Sequence, residues 1–203
     1  NRLLGVITAQ DFMQVVDNEL SDDYAKLAGL ASEEDLKEPL GQSIRKRLPW
    51  LLVLLGLGLV VSSVVGLFEA VVAQITLIVC FQSLVLDMAG NVGTQSLAVT
   101  IRVLMDGTVS GKQKAKLVWK ESKVGLANGF ILGAASFVLI GGYLYLLKGQ
   151  PATLSFAISA CIGLALVLSM LLSSITGTVI PIFFKAIKID PAVASGPLIT
   201  TMN

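Results

Sequence analysis

The chain has 203 residues, of which 54% are hydrophobic and 14% are charged, and its formal net charge is +1. A soluble domain carries about 25% charged residues, so the composition excludes an ordinary soluble protein. The chain contains no histidine, which excludes imidazole metal sites and histidine acid–base chemistry. No basic stretch interleaved with aromatic residues indicates a nucleic-acid partner. Cys80 and Cys161 lie in apolar runs, so we expect them to pack between helices rather than form a disulfide.

The N-terminal region differs from the rest of the chain in its polarity. Residues 1–8 predict a short strand, and Ala9–Gln10 predict a turn after it. Residues 11–30 carry apolar side chains near a 3.6-residue period, which predicts a helix. Residues 31–44 are acidic and polar, and Ser32 with the three acids after it resembles a helix start. An isolated strand is not stable, so we expect the first residues to be the end of a larger soluble domain.

Four long stretches of the chain contain at most one charged residue each. A helix needs about 20 apolar residues to cross a hydrocarbon core of roughly 30 Å, so each stretch is long enough to span a membrane. Unpaired backbone amides are too costly in lipid, and the stretches lack the two-residue alternation of a barrel, so we expect helices. The stretches are residues 48–68, 70–101 (with Asp87), 124–147 and 149–184.

A fifth apolar segment begins after Asp190-Pro191 and contains 12 residues up to Asn203. That length is too short to span a membrane, so we expect the sequence to stop inside a helix. The predicted fold is therefore all-α: a polytopic transmembrane bundle of four full spans and the start of a fifth, preceded by a cytoplasmic connecting helix.

Lysines and arginines gather at one end of this predicted bundle. Because such residues favour the cytoplasmic side, we expect a cell-membrane protein with a cytoplasmic N-terminus. The short hairpins near Glu69 and Lys148–Gln150 then lie outside. Eleven of the fifteen basic residues are on the cytoplasmic side: Arg45, Lys46, Arg47, Arg102, Lys112, Lys114, Lys116, Lys120, Lys123, Lys185 and Lys188.

The second span contains a polar stripe. Asp87, Asn91 and Gln95 are spaced four residues apart, so they share one face of a helix. Polar groups are too costly to face lipid, so the stripe should face a partner helix or water. Gly90 and Gly93 permit either a close helix approach or an irregular backbone that presents carbonyl groups. One carboxylate with amides suits a hydrated hard cation better than an enzyme, while the structural alternative is a polar packing seam.

The segment from Asp190 onward predicts a broken helix. Asp190 and Pro191 form a favourable cap and first residue. Pro197 removes an N–H and would free the carbonyl of Val193, and Gly196 would soften the same turn. Broken helices in membranes often line ion pathways, although a simple kink is the alternative.

These two segments resemble the signature stretches of the MgtE family of magnesium channels. The first is GNVGTQS at residues 90–96 followed by Thr100-Ile101-Arg102, and the second joins DPA at 190–192 to SGP at 195–197 and Thr200-Thr201. The segment LGVIT at residues 4–8 is similar to the end of a cystathionine-β-synthase (CBS) regulatory domain. The resemblance implies three parts: a CBS-domain tail (1–10), an acidic connecting or plug helix (11–44), and a transmembrane channel domain (45–203).

The resemblance also implies a homodimer of five-helix subunits, with a pore between the subunits lined by the second and fifth helices. The family's pore aspartate would come directly after Asn203. Ser83 stands where a proline is expected, and Gly196 where some members have asparagine. The candidate pore-lining residues are Asp87, Gly90, Asn91, Gly93, Gln95, Gly196 and Pro197, and the candidate ion ligands are Asn91, Gly196 and, through its backbone carbonyl, Thr200.

The expected cargo is hydrated Mg²⁺, with Mn²⁺ and Co²⁺ as possible alternatives. Carbonyls, amides and few carboxylates can bind the water shell that Mg²⁺ gives up reluctantly. One alternative is a secondary transporter with broken helices at a central site. An intramembrane aspartyl protease needs two facing aspartates, and only Asp87 lies deep in a span, so an enzyme is not expected.

Two further features carry predictions. Gly125, Gly129 and Gly133 form a small-residue stripe on the third span, which should be buried against a helix of the same subunit or of a dimer partner. Residues 11–38 contain nine acids, which either form a solvated face or share regulatory Mg²⁺ with an acidic surface of the preceding domain. The candidate regulatory ligands are Asp22, Asp23, Glu33 and Glu34.

Overall fold

The computed structural model describes residues 5–30, 37–72, 76–105, 109–193 and 196–202, and all regular structure in these ranges is helical. The predicted all-α class is therefore confirmed. The α-helices are α1 (Ala9–Leu27), α2 (Leu40–Gly66), α3 (Glu69–Val72), α4 (Thr76–Met105), α5 (Gly111–Gly142), α6 (Ala152–Ala186) and α7 (Gly196–Met202), with a π-helical turn at Tyr143–Leu147 and a 3₁₀ turn at Pro191–Val193.

Four helices are long and apolar enough to cross a membrane, which confirms the four predicted spans. They are Leu40–Gly66, Leu77–Met105, Gly111–Leu147 and Ala152–Ala186. Each helix is either longer than the uncharged stretch that predicted it or shifted along the chain relative to that stretch. Polar residues at the membrane surface continue the same helices beyond the uncharged residues. The chain is therefore a multi-pass membrane protein.

The beginning of the chain differs from the prediction. Residues 5–8 are not a strand, and Ala9 and Gln10 are the first residues of α1 rather than a turn. The reason is a capping box at Thr8: its Oγ1 accepts from Asp11 N at 3.1 Å, and its N–H donates to Asp11 Oδ2 at 2.9 Å. This exchange satisfies two backbone donors at the helix start. The Thr8 hydroxyl also donates to Asp11 Oδ2 at 2.6 Å, and this hydrogen bond, followed by the one from the Thr8 N–H, lowers the pKa of Asp11.

Helix α6 is the centre of the bundle and packs along both α5 and α4. The glycine stripe of α5 is buried against α6 of the same chain. A Cβ at Gly129 would lie 2.8 Å from Val167 Cα, and one at Gly133 would lie 2.8 Å from the Gly163 carbonyl oxygen. Small residues therefore bring the two backbones together, as in other membrane helix pairs.

Helices α4 and α6 approach equally closely. A Cβ at Gly177 of α6 would collide with the carbonyl oxygen of Gly93 on α4. Ser173 adds a hydrogen bond of 2.5 Å from its Oγ to the carbonyl oxygen of Ala89. These contacts keep one side of α4 against the bundle, so the opposite side remains exposed.

The fifth segment contains the 3₁₀ turn Pro191–Val193 and helix α7, Gly196–Met202. Residues 194 and 195 lie outside the described residues, so the predicted break of the helix near Pro197 stays a prediction. Asp190 does cap the turn, since its Oδ1 accepts from Ala192 N at 3.0 Å.

We expect Gly177→Val to destabilise the full-length protein by roughly 1–3 kcal/mol, because the added side chain collides with the backbone of α4. The matched control is Gly56→Val on α2, where an added Cβ meets nothing within 4 Å. Thermal unfolding in mild detergent measures both. Equal melting temperatures for the two variants would contradict the close contact.

Candidate functional site

The polar stripe of α4 lies on the side of the helix that the other described residues leave uncovered. Asp87, Asn91 and Gln95 are all exposed, and Thr94 beside them is exposed as well. They occupy the middle of a span of 29 residues. A carboxylate and two amides are costly in hydrocarbon, so this face requires water or another protein surface.

The two glycines of this segment are buried instead. A Cβ at Gly90 would lie 2.8 Å from Thr200 Cγ2 of α7, and one at Gly93 would lie 2.5 Å from Ile199 Cγ2. Helix α4 continues unbroken past both residues. The sequence allowed either a close helix approach or an irregular backbone at Gly90 and Gly93. The helices approach closely at both residues, and the backbone of α4 is regular there.

Helix α7 borders the polar face of α4 along one side. Gly196 lies beside Thr94, whose Oγ1 is 3.6 Å from a Cβ built at Gly196. Thr200 packs its methyl group on Gly90, and its hydroxyl donates to the Pro197 carbonyl at 3.0 Å. The structure therefore brings the second and fifth predicted segments together.

The available donors are oxygen atoms of amides, carbonyls and one carboxylate. Within the described residues, no three His, Cys, Asp or Glu side chains lie close enough to hold a metal ion. A tight cage of protein ligands is thus not formed by this part of the chain alone. Few carboxylates with many neutral oxygens fit a cation that keeps its water shell.

A wide apolar cavity of about 960 Å³ lies between α2, α4 and α6. Thr200 and Thr201 line one end of it, but Asp87, Asn91 and Gln95 do not. The cavity is therefore separate from the polar face, and only Thr200 of the predicted site residues borders it. Its walls come from α2, α3, α4, α6 and α7, which include segments far apart in sequence, so no local pattern could have indicated it.

Sequence reasoning also missed a buried polar cluster behind the stripe. Ser96, Glu121 and Ser174 come from α4, α5 and α6 and are all buried. The one available signal was Glu121, a lone acid in a lysine-rich segment next to an apolar span. The two serines carry no such signal, because hydroxyls are common in membrane helices.

The connecting helix α1 docks at the basic end of the bundle. Lys26 Nζ lies 2.8 Å from Asp190 Oδ2 and 3.6 Å from Asp22 Oδ2. Leu27 packs against the cluster of Leu97, Ile101 and Ile199. The end of α1 is thus attached to the turn that precedes α7.

Charges around this contact shift several pKa values. Partial burial raises the pKa of Asp190, but hydrogen bonds from Lys26 and the Ala192 N–H outweigh it and lower the pKa overall. The hydrogen bond to Asp190 raises the pKa of Lys26. Burial, followed by the nearby charge of Asp190, raises the pKa of Asp23. Of the other predicted regulatory ligands, Asp22 lies beside Lys26, while Glu33 and Glu34 lie outside the described residues.

Comparison with known proteins gives a consistent result. Residues 82–203 match the model of the MgtE family, described as a divalent cation transporter. The magnesium transporters MgtE of Enterococcus faecalis and Bacillus subtilis are each 36% identical to the chain over 203 residues. The magnesium transporter MgtE of Thermus thermophilus is 29% identical over 204 residues. Each match covers the whole chain but 43% of the relative, so the chain spans less than half the length of these curated relatives.

We expect cysteines introduced at Asn91 or Gln95 to react with a water-soluble thiol reagent in the full-length protein at least about tenfold faster than cysteines at buried positions. Ala89 and Leu97, each 1% exposed, provide the matched controls on the opposite faces of α4. Cys80 and Cys161 are both exposed and must be replaced first. If cysteines at positions 91 and 95 are protected and those at positions 89 and 97 react, the water-exposed face of α4 is the opposite one, and the assignment is wrong.

Proposed function

Because the chain belongs to the MgtE family of divalent cation transporters, we propose that the protein moves Mg²⁺ across a membrane along the polar face of α4. One observation carries the proposal: Asp87, Asn91 and Gln95 lie exposed in the middle of an apolar span. Such groups are stable there only beside water or a polar partner, which an aqueous path supplies. The curated relatives named above as magnesium transporters support Mg²⁺ as the cargo.

The proposed path binds a hydrated ion. Amide oxygens of Asn91 and Gln95, with backbone carbonyls near Gly196 and Thr200, accept hydrogen bonds from the water shell, and Asp87 adds one negative charge. Mg²⁺ loses its water slowly, so contact through water avoids most of that cost. Mn²⁺ and Co²⁺ accept similar oxygen ligands, and we propose that they also pass.

A second copy of the chain closes the path in this proposal. Helix α2 has no buried residue, although it is a full-length span. Both α2 and the polar face of α4 therefore offer surface to a partner. A homodimer that places two α4 faces opposite each other would shield the polar groups from lipid and leave water between them.

We also propose that cytosolic Mg²⁺ controls this path through α1. The contact between Lys26 and Asp190 attaches α1 directly to the turn before α7, whose residues border the path. Three carboxylates, Asp22, Asp23 and Asp190, surround the single ammonium group of Lys26. Movement of α1 therefore changes the charge next to the start of α7. A divalent ion shared between these acids and a preceding regulatory domain of the CBS type would hold α1 in place.

The sidedness of the proposal follows from the basic residues. The Lys185 ammonium donates to the Leu104 carbonyl, so the ends of α6 and α4 lie together, and α1 docks at the same end. Placing this end in the cytoplasm satisfies the preference of lysine and arginine for that side. The N-terminus and its regulatory domain are then cytoplasmic, in a cell membrane.

The main alternative is a secondary transporter with a broken helix at a central site. The 3₁₀ turn at Pro191–Val193 in the fifth segment is compatible with both mechanisms. A transporter couples its cargo to a sodium or proton gradient, whereas a channel conducts Mg²⁺ down its own gradient.

Proteoliposomes that contain the full-length protein should take up Mg²⁺, measured with an enclosed Mg²⁺ indicator dye, without a sodium or proton gradient. Gln95→Leu should reduce uptake about tenfold, because the path loses hydrogen bonds to the ion's water shell. Leu139→Ala, on an exposed face of α5, is the control and should leave uptake unchanged. Uptake that appears only with an imposed sodium or proton gradient would favour the alternative mechanism.

Regulation has its own test. Mg²⁺ at about 20 mM, a saturating dose for a weak carboxylate site, should protect residues 11–40 of the full-length protein from protease. Replacing Asp22, Asp23, Glu33 and Glu34 by their amides should weaken that protection. Asp17→Asn serves as the control, since Asp17 is exposed on α1 and lies outside both the capping box and the contact with Lys26. Equal cleavage with chelator and with Mg²⁺ would show that these acids are only a solvated face.

A further inference from the structure

A buried carboxylate lies behind the polar face of α4. Glu121 of α5 is 5% exposed, and no other aspartate or glutamate in the described part of the chain is buried. Burial of a carboxylate costs free energy unless hydrogen bonds replace the water it loses. The proposed path does not include Glu121, so the carboxylate needs a different explanation.

Glu121 connects three helices through two hydroxyl groups. Its Oε2 accepts a hydrogen bond from Ser96 of α4 at 3.1 Å, and its backbone carbonyl accepts one from Ser174 of α6 at 2.6 Å. The two serine oxygens are 2.9 Å apart. Lys120 Nζ lies 3.8 Å from the other carboxylate oxygen, but this side chain is 67% exposed and contributes little. The contact with Ser96 is therefore the principal one that the carboxylate makes.

The position of Ser96 matters because it directly follows Gln95. Ser96 is 2% exposed and points into the bundle, whereas Gln95 points outward. Successive residues of a helix are separated by about 100°, so a bond that fixes Ser96 also fixes the direction of Gln95. Helices α4 and α5 otherwise touch little, since both pack along α6.

We propose that Glu121 is a positioning residue for the ion path: its buried carboxylate holds Ser96, and thereby sets the rotation at which α4 presents Asn91 and Gln95. The proposal rests on transport along this face of α4. A hydrogen bond to a charged acceptor is stronger than one between neutral groups. An apolar side chain of the same size would fill the space without fixing the rotation, which explains a carboxylate at this place.

The test measures the direction of Gln95 without relying on transport. Gln95→Cys is introduced into the full-length protein, with Cys80 and Cys161 replaced by alanine, and its rate of reaction with a water-soluble thiol reagent is recorded. Ser96→Ala and Glu121→Leu are then added separately. The matched control is Ser122→Ala, because the Ser122 hydroxyl donates to Val118 of its own helix at 2.7 Å and joins no other helix.

Ser96→Ala and Glu121→Leu should each change the reaction rate about tenfold, as expected when a hydrogen bond to a charged group is lost. Together they should have no larger effect than either alone, because both remove the same contact. Glu121→Gln keeps an acceptor oxygen and should stay within about twofold of the parent. If the cysteine at position 95 reacts at the same rate in folded Ser96→Ala protein as in the parent, the proposal is overturned. Ser96→Ala is the more conservative variant, so it decides the question if Glu121→Leu does not fold.

Uptake of Mg²⁺ by the same variants with Gln95 intact separates this proposal from the transport proposal. If the unsubstituted protein takes up no Mg²⁺, transport is contradicted, while the thiol rates still test positioning. If uptake is present, Ser96→Ala should raise the Mg²⁺ concentration for half-maximal uptake. If Ser96→Ala lowers only the maximal rate of Mg²⁺ uptake, in proportion to the amount of folded protein, a positioning role is contradicted.

Discussion

Hydrocarbon cannot replace water around a polar group, and this constraint decides how the helices are arranged. Inside the bundle, hydroxyl groups satisfy it locally: Ser173 donates to the backbone of α4, and Ser96 and Ser174 gather around Glu121. On the outer face of α4, Asp87 and its neighbours have no such surroundings in a single subunit. The same constraint thus explains both the compact interior and the need for water or a second subunit at the stripe.

Close backbone contact is the second determinant, and it depends on small residues at particular positions. Glycines on α5 face α6, and Gly93 on α4 faces Gly177 on α6. Because these contacts occupy one side of α4, the opposite side is left to present Asn91 and Gln95. The geometry of the candidate path is therefore a consequence of packing on the other side of the same helix.

The sequence was sufficient to predict what depends on local composition. Uncharged length predicted the four spans, and the spacing of Asp87, Asn91 and Gln95 predicted a single polar face. Features that depend on partners distant in sequence were not predictable. The contact between Lys26 and Asp190 joins residues 164 positions apart, and the partners of Glu121 lie on two other helices. At the N-terminus, the capping box at Thr8 begins α1 at Ala9, where the sequence predicted a turn.

The contact between Gly93 and Gly177 limits how the molecule can move. With no side chain between the two backbones, the axes of α4 and α6 are held at a short separation, and α5 is held to α6 in the same way. We therefore expect α4, α5 and α6 to behave as one rigid body during any opening. In that case α1, α2 and α7 would move relative to the rigid body. The hinges would lie at the turns on either side of it, as in other domain closures that concentrate motion in a few linking residues.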